Sequence, residues 1–470
     1  MKIAEILKCT KGRLISGDSN TEAASDRFST DSRSLKKGDL FVALKGANFD
    51  GNDFVAQALR RGAIGAVISN HVLCNKYYVR KSVIHVTDTT AAYGAIANYH
   101  RMRFAVPVVA VTGSNGKTTT KDMMSHVLSG RFKVLKNEGT KNNNIGVPET
   151  LLKLNKGIDI AVLELGMNHP GEIKTLSGIA RPSAGVVTNI GESHLEFLDG
   201  LENVYKAKKE LLGSLPCGAA AIVNGDDRLL SRFRAKRLEV VTFGFGRHNN
   251  FRASNAKWED GQWRFMVNER HPFELNMLGG HNIYNALAAI AAASYFKVHW
   301  ADIQRRIAAF RQTSAMRLAI NRIGGIEFIN DAYNSNPLSM RCAINSLLDY
   351  EAKGKRFLIS GDMLELGSRA RRFHAAVGEL AAQSGVDFLF TIGDLSRHTA
   401  AAALARGMKE KNAVMCRTHK DAACLLRRLV KKGDVVLIKG SRAMRMERVM
   451  DYFAKSPLLQ TPNSKLRTLN

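Results

Sequence analysis

The residues best suited to chemistry sit in AVTGSNGKTTTK, Ala110 to Lys121. An apolar run ends in the turn Gly113-Ser114-Asn115-Gly116, and Lys117, Thr118 and Thr119 open the stretch that follows. A strand, a glycine turn and a helix in that order make a phosphate cradle, because glycines let backbone N–H groups close around phosphate oxygens. Lys117 would bring a cation to the outer phosphates, and the Thr118 hydroxyl suits a magnesium ion held by those phosphates. The common pattern GxxxxGK[ST] places glycine six residues before the lysine. Here that position is Val111, so the motif is a shorter GxxGKT variant.

Two later segments offer partners. Glu164 stands at the end of the apolar run IDIAVLE, and a carboxylate at the C-terminal end of a neighbouring strand lies where nucleotide sites form in open sheets. His194 follows AGVVTNIGES, just past another strand end, where a site role competes with a structural one. His169, in GMNHPGE, is a less well placed alternative.

These residues need a scaffold of alternating strands and helices. VVAVTG, IDIAVLELG, AGVVTNIG and AAAIVNGD are continuous apolar runs separated by helical patterns, which indicates a buried parallel sheet. Before them, DLFVALKG (Asp39–Gly46) and GAVISN read as strands, and NDFVAQALRRG (Asn52–Gly62) reads as a helix stopped by Gly62. After them, an Ala-rich helix starts at Asn282 and a shorter one covers Asp302–Phe310. EFIND, RFLISGD, DFLFTIGD, AVMC and DVVLIKGS then restart the rhythm as a second, smaller parallel domain. The expected class is α/β with three domains: residues 1–100, 101–311 and 312–470. The polar tail after Ser456 is expected to fray.

Length and composition agree with this. At 470 residues, 45% hydrophobic and 24% charged, the chain is globular rather than disordered or collagen-like. The formal net charge of +27 raises the possibility of a polyanionic partner. Counted over residues 1–100, 101–310 and 311–470 the excess is +5, +9 and +13, so no single basic arm carries it. Runs such as Arg232 to Arg237 and Arg371–Arg372 read as solvated faces, and no nucleic-acid partner is expected. Cys9, Cys74, Cys217, Cys342, Cys416 and Cys424 contain no CxxC pair and no disulfide framework. Glu5 and Lys8 interrupt any signal-peptide core, and Ala286 to Phe296 is too short to span a bilayer. A soluble cytoplasmic protein, with monomer as the default state, is expected.

TGSNGKTTT, LELGMNHPGEI, TNIGESHLE with YKAKKE, HNIYNALAA, DAYNSNP, GDMLELG and IKGSRAMRME together resemble the Mur ligases of peptidoglycan synthesis. The N-terminal STDSRSLKKGDLFVALKGANFDGNDF is similar to the nucleotide-sugar domain of that family, and the resemblance runs from about Ser29 to Met450. It implies a UDP-sugar-binding first domain, a central P-loop ATPase sheet and a Rossmann-like last domain that closes over ATP. The implied reaction is ATP-driven amide bond formation through an acyl phosphate, joining D-alanyl-D-alanine to UDP-N-acetylmuramoyl-tripeptide. The resemblance further implies roles in cell-wall synthesis, cell shape and division. Closure would exclude water from the acyl phosphate.

The resemblance also implies site residues. Lys117 would contact the β- and γ-phosphates, Thr118 and Glu164 would hold one Mg2+, and His194 would help hold a second. A carbamoylated lysine near the second metal falls on Lys208, although Lys206 and Lys209 leave the register open and the stretch by itself reads as a solvated basic helix face. A carbamate forms on a neutral amine and so needs a lowered pKa. Asn282 and Asn285 match the adenine-binding positions, and helix capping by Asn282 is compatible with that. Arg317 matches an arginine that reaches ATP phosphates, and Asp331, Asn334, Asn336 and Pro337 match an ATP-contacting loop. Ser32, Arg33, Lys45, Gly46, Phe49, Asp50 and Gly51 are the sugar-nucleotide candidates, with Arg33 suited to a diphosphate. Asn142, Asn143 and Asn144 would lie near the muramoyl-peptide. Two rival readings stay open: another ATP-dependent amide ligase, such as an amino-acid-adding Mur ligase or a folylpolyglutamate synthase, and a P-loop nucleic-acid-binding ATPase.

Overall fold

The structure is a computed structural model that describes residues 1–24, 27–46, 48–70, 81–312 and 314–455. Cys74 and the tail after Ser456 lie outside the described residues. The chain divides into two compact units. One comprises Met1–Asn189, Tyr205–Phe251 and Ala286–Arg306, and the other comprises Ile190–Val204, Arg252–Asn285 and Ile307–Asn470.

The first unit holds two sheets. The N-terminal sheet runs in the order Arg13–Ser16, Ser82–His85, Gly65–Ile68, Leu40–Val42, Phe28–Ser29, and the first strand alone is antiparallel. Phe41, Val55, Leu59, Ile68 and Val83 fill its core. The strand expected over Asp39–Gly46 is shorter than its apolar run, because the chain turns back at a Lys45–Asp50 bridge. The helix expected over Asn52–Gly62 divides into a 3-10 turn, Gly51–Phe54, and an α-helix, Val55–Arg60. Asp50 accepts the Asn52 N–H and so caps the turn, while Gly62 ends the helix at φ 99°.

The central sheet of this unit is parallel throughout. Its order is Glu239–Gly244, Ala220–Asn224, Ala184–Val187, Val108–Thr112, Ile160–Glu164, Val134–Lys136. Val108, Val109 and Val111 are fully buried, and each such side chain contributes about 1.5–3 kcal/mol. The chain leaves Val108–Thr112, winds to one side of it through Ile160–Glu164, and then crosses to the other side at Ala184–Val187. Ligands of open α/β sheets bind at such a switch point, outside the C-terminal strand ends. The glycine turn, Glu164 and Thr188 therefore converge by topology.

The second unit contains a sheet ordered Ala319–Ile323, Ile326–Asp331, Val435–Lys439, Arg356–Gly361, Phe388–Ile392, Ala413–Cys416. Four of its five pairings are parallel, as the apolar rhythm implies. Ala319–Ile323 pairs antiparallel with Ile326–Asp331 through Gly324-Gly325, so this sheet is mixed rather than purely parallel. Phe357 stacks on Phe388 at 4.6 Å, and Phe328, Phe390 and Ile438 complete the core. An antiparallel meander, Phe251–Glu259, Gln262–Val267 and His271–Leu275, adds strands that the apolar runs do not announce.

Candidate active site

Gly113 has φ 146°, and a Cβ there would lie 1.9 Å from Thr188 Oγ1, so the turn tolerates only glycine. Gly116, at φ 80°, caps the helix Lys117–Leu128. Thr188 and Asn189 clamp the turn. Thr188 Oγ1 donates to the Asn115 carbonyl at 2.6 Å, Asn115 N–H donates to Asn189 Oδ1 at 2.9 Å, and Ser114 N–H donates to the Asn189 carbonyl at 2.9 Å. Sequence reasoning missed this pair, although TNIG marks the loop after a strand on which it lies. The Lys117 ammonium folds over the turn, 2.8 Å from the Gly113 carbonyl and 3.1 Å from that of Ser114. Thr119 is buried one residue beyond Thr118 on the same first turn.

Thr118 donates its hydroxyl to Glu164 Oε2 at 2.7 Å, and Asn142 Nδ2 donates to Glu164 Oε1 at 2.7 Å. The carboxylate is 1% exposed and ends its strand beside the glycine turn, as the sequence leads one to expect. Of the three adjacent amides, Asn142 therefore meets Glu164. Asn143 Oδ1 accepts the N–H groups of Ile145 and Gly146, starting the helix Gly146–Leu151, and Asn144 is exposed.

Lys208 lies on the helix Leu201–Gly213. Lys206 and Lys209 are exposed, with Lys209 over the Tyr205 ring, whereas Lys208 is 1% exposed. Burial pushes its pKa well below the usual lysine value, and the positive charge of Lys117 pushes the same way. Glu210 sets the helix rotation by accepting the N–H groups of Gly171 and Lys174 at 2.8 and 2.9 Å, capping the helix Glu172–Ala180. His169 is exposed and lies 3.3 Å from Glu172.

In the turn after the strand Phe28–Ser29, Ser32 is buried and donates to Gln57 Oε1 at 3.1 Å. Arg33 is exposed and paired with Asp31 at 2.9 Å. Gly46 N–H donates to the Phe49 carbonyl, and Phe49 stands 59% exposed at the end of the loop from Lys45 to Asp50. Hydrogen bonds from the Asn52 backbone and side chain hold the Asp50 carboxyl below its usual range.

The remaining candidates belong to the second unit. His194 caps the short helix Leu195–Leu198 at φ 54°, and its Nδ1 lies 2.7 Å from Glu365 Oε2. A carboxylate on one ring nitrogen fixes the tautomer and leaves the other nitrogen to act as a ligand. Asn282 lies inside the first turn of His281–Tyr295, not at its cap, and its amide donates back to the Leu278 carbonyl. Asn285 Nδ2 donates to Asn282 Oδ1 at 2.8 Å, so the two buried amides act as a pair. Arg317 lies over the Tyr333 ring at 4.1 Å. Asp331 holds the Lys439 ammonium at 2.6 Å, and the Asn334 carbonyl accepts from the same group at 2.9 Å. Asn336 caps the helix Pro337–Asp349, with Pro337 at its first position. Lys439, 2% exposed on its side chain, is a further residue that sequence reasoning did not single out.

Among the described residues, no group of three His, Cys, Asp or Glu side chains could hold a metal ion unaided. The paired oxygens of Thr118 and Glu164 nevertheless fit an ion that takes most of its ligands from phosphate oxygens. No helix among the described residues is long and apolar enough to cross a membrane.

Comparison with known proteins adds to this geometry. Family models described as Mur ligase family, catalytic domain, as Mur ligase middle domain, and as Mur ligase, glutamate ligase domain match residues 27–101, 111–293 and 316–442. The UDP-N-acetylmuramoyl-tripeptide–D-alanyl-D-alanine ligase of Bacillus subtilis (strain 168) is 38% identical over 91% of this chain and 93% of its own length. The Escherichia coli (strain K12) protein of the same name is 34% identical over 90% and 93%. A crystal structure of MurF from Acinetobacter baumannii superposes with a TM-score of 0.88 at 31% identity, covering 97% of this chain and 99% of that one. MurF ligase from Thermotoga maritima in complex with ADP gives 0.82 at 28% identity, covering 93% and 99%.

Proposed function

The chain belongs to the Mur ligase family, with that family's three-domain α/β architecture, and we propose that it joins D-alanyl-D-alanine to UDP-N-acetylmuramoyl-tripeptide at the expense of ATP, in peptidoglycan precursor synthesis. The observation that carries this reading is a phosphate cradle with a Thr118–Glu164 pair and a buried, charge-suppressed lysine in the same unit.

The chemistry follows from what each group does. A carboxylate is a poor electrophile, so the γ-phosphoryl of ATP is transferred to the tripeptide's terminal carboxylate, giving an acyl phosphate and ADP. The amine of D-alanyl-D-alanine attacks the acyl carbon, loses a proton, and inorganic phosphate leaves. Phosphoryl transfer needs positioning and charge neutralisation more than covalent help. The Gly113–Gly116 turn and Lys117 supply both. Lys117 leaves the carbonyls of Gly113 and Ser114 for the outer phosphates when nucleotide enters.

Thr118 and Glu164 would hold one Mg2+; His194 and carbamoylated Lys208 would hold a second. Bound there, the ions neutralise charge on the phosphates. Lys208 gains its ligand character by reacting with carbon dioxide as the free amine, which burial favours. Asn282 and Asn285 suit the adenine edge, and Arg317, Asp331, Asn334 and Asn336 belong to the ATP-facing part of the last domain. Ser32, Arg33, the Lys45–Asp50 loop and Asn142–Asn144 serve the sugar nucleotide and its peptide. The domain boundaries fall at 100/101 and 311/312, and the enzyme works as a cytoplasmic monomer. The test is incubation with ATP, Mg2+, UDP-muramoyl-tripeptide and D-alanyl-D-alanine. Phosphate release that needs both the tripeptide and the dipeptide supports the reading, and release indifferent to either one overturns it.

A further inference from the structure

The mechanism above leaves the buried charge of Lys121 without a role. Lys121 lies one helical turn beyond Lys117, and its side chain is fully buried. Taking an ammonium out of water costs several kcal/mol unless its protons are satisfied. Here the Nζ donates to the Asn137 carbonyl at 2.7 Å and the Gly139 carbonyl at 3.2 Å, and Asp122 lies 3.4 Å away. An apolar side chain would fill the same space without that cost, so the charge serves the two carbonyls.

Those carbonyls belong to the segment that controls Glu164. Asn137 follows the edge strand Val134–Lys136 and is fully buried. Its side chain takes both backbone polar groups of Glu164, accepting the Glu164 N–H at 2.9 Å and donating to the Glu164 carbonyl at 3.0 Å. The same amide donates to the Lys141 carbonyl at 2.9 Å, fixing the chain one residue before Asn142. Asn142 then holds the Glu164 carboxylate, and its carbonyl accepts the Gly166 N–H at 2.8 Å. A Cβ on Gly166 would come within 2.6 Å of Asn142 Oδ1, so the fit leaves no slack.

We propose that Lys121 and Asn137 form a positioning unit that sets the Glu164 carboxylate and the Asn142 amide for the nucleotide-bound metal. Lys121 anchors the main chain of the segment, and Asn137 transmits that anchor to the strand end carrying Glu164. Neither residue touches substrate. The inference rests on the reading of Glu164 as a metal ligand.

The test compares the full-length protein with Lys121→Met, Asn137→Asp and Glu164→Gln. Asn137→Asp is nearly isosteric and keeps the acceptor for the Glu164 N–H while losing both donated bonds. The readout is the affinity for a fluorescent ADP analogue in EDTA and in Mn2+. Removal of an outer-shell partner costs roughly 10- to 100-fold in metal affinity, so the Mn2+-dependent tightening is expected to fall by about tenfold in both positioning variants, with affinity in EDTA unchanged. In turnover, both variants should need more Mg2+ yet regain near-parental kcat when Mg2+ is saturating, whereas simple loss of folded protein would lower kcat at every Mg2+ concentration. Parental Mn2+ tightening in Lys121→Met and Asn137→Asp, with loss in Glu164→Gln, overturns the positioning role and leaves the metal site standing. Parental tightening in Glu164→Gln overturns the metal reading itself, and the inference with it.

Discussion

Replacing Lys208 by methionine should make the folded protein more stable while abolishing its activity. The sign follows from proton linkage. In the folded chain the Lys208 pKa is well below the ordinary value of 10.5, because of burial first and the charge of Lys117 second. Between the lowered pKa and 10.5 the unfolded chain holds a proton at this position that the folded chain does not, so stability falls as pH falls across that window. One proton of difference changes the unfolding free energy by about 1.4 kcal/mol per pH unit, and Lys208→Met removes that dependence. The assay is denaturant unfolding of parent and variant in metal-free, CO2-depleted buffer at several alkaline pH values. The gap between them should widen in favour of the variant by about 1.4 kcal/mol for each unit that pH is lowered. Bicarbonate should stabilise the parent alone, because carbon dioxide then acts as a ligand of the folded state. Parallel pH profiles, or a variant less stable than the parent throughout, would refute the idea that Lys208 is held as a neutral amine.

Other substitutions probe the rest of the site. Gly113→Ala should strain the turn by about 1–3 kcal/mol and push Thr188 off the Asn115 carbonyl, so ADP affinity measured by calorimetry should drop about tenfold or more; unchanged affinity would contradict the close approach. Asp331→Ala leaves the buried Lys439 ammonium without its carboxylate and should cost the last domain about 3 kcal/mol in urea unfolding. A change near zero would mean that the Asn334 carbonyl suffices. Glu365→Ala frees the His194 ring and should lower turnover by about tenfold, with parental rates counting against a positioning role.

How much of this was legible in the sequence depends on the kind of signal. Parallel strands such as VVAVT and IAVLE were readable because every residue in them is buried, so each spells an uninterrupted apolar run. The meander from Phe251 to Leu275 was not, because its strands are half exposed and their apolar residues alternate. The Asp260-Gly261 turn, with positive φ at both residues, was the signal that could have found it. Glu164 was readable as a carboxylate at a strand end. Asn137 and Lys121 were not, because their importance lies in partners 16 to 27 residues away, and an asparagine or lysine carries no mark of burial. The register of Lys208 was readable only through resemblance, since helix rotation is set by Glu210 reaching the start of a different helix. Asn282 looked like a cap and is a donor inside the first turn, a distinction of one residue that composition does not resolve. The dispersed charge of +27 has no structural account beyond the few cations at the site.

The central claim is that ATP activates the tripeptide's own carboxylate. Its most direct test uses UDP-muramoyl-tripeptide carrying 18O in the terminal carboxylate, turned over with ATP, Mg2+ and D-alanyl-D-alanine. An acyl phosphate leaves one carboxylate oxygen on the phosphate it releases, so mass spectrometry should find one 18O in each inorganic phosphate. Phosphate free of 18O, formed together with the amide product, would contradict the account.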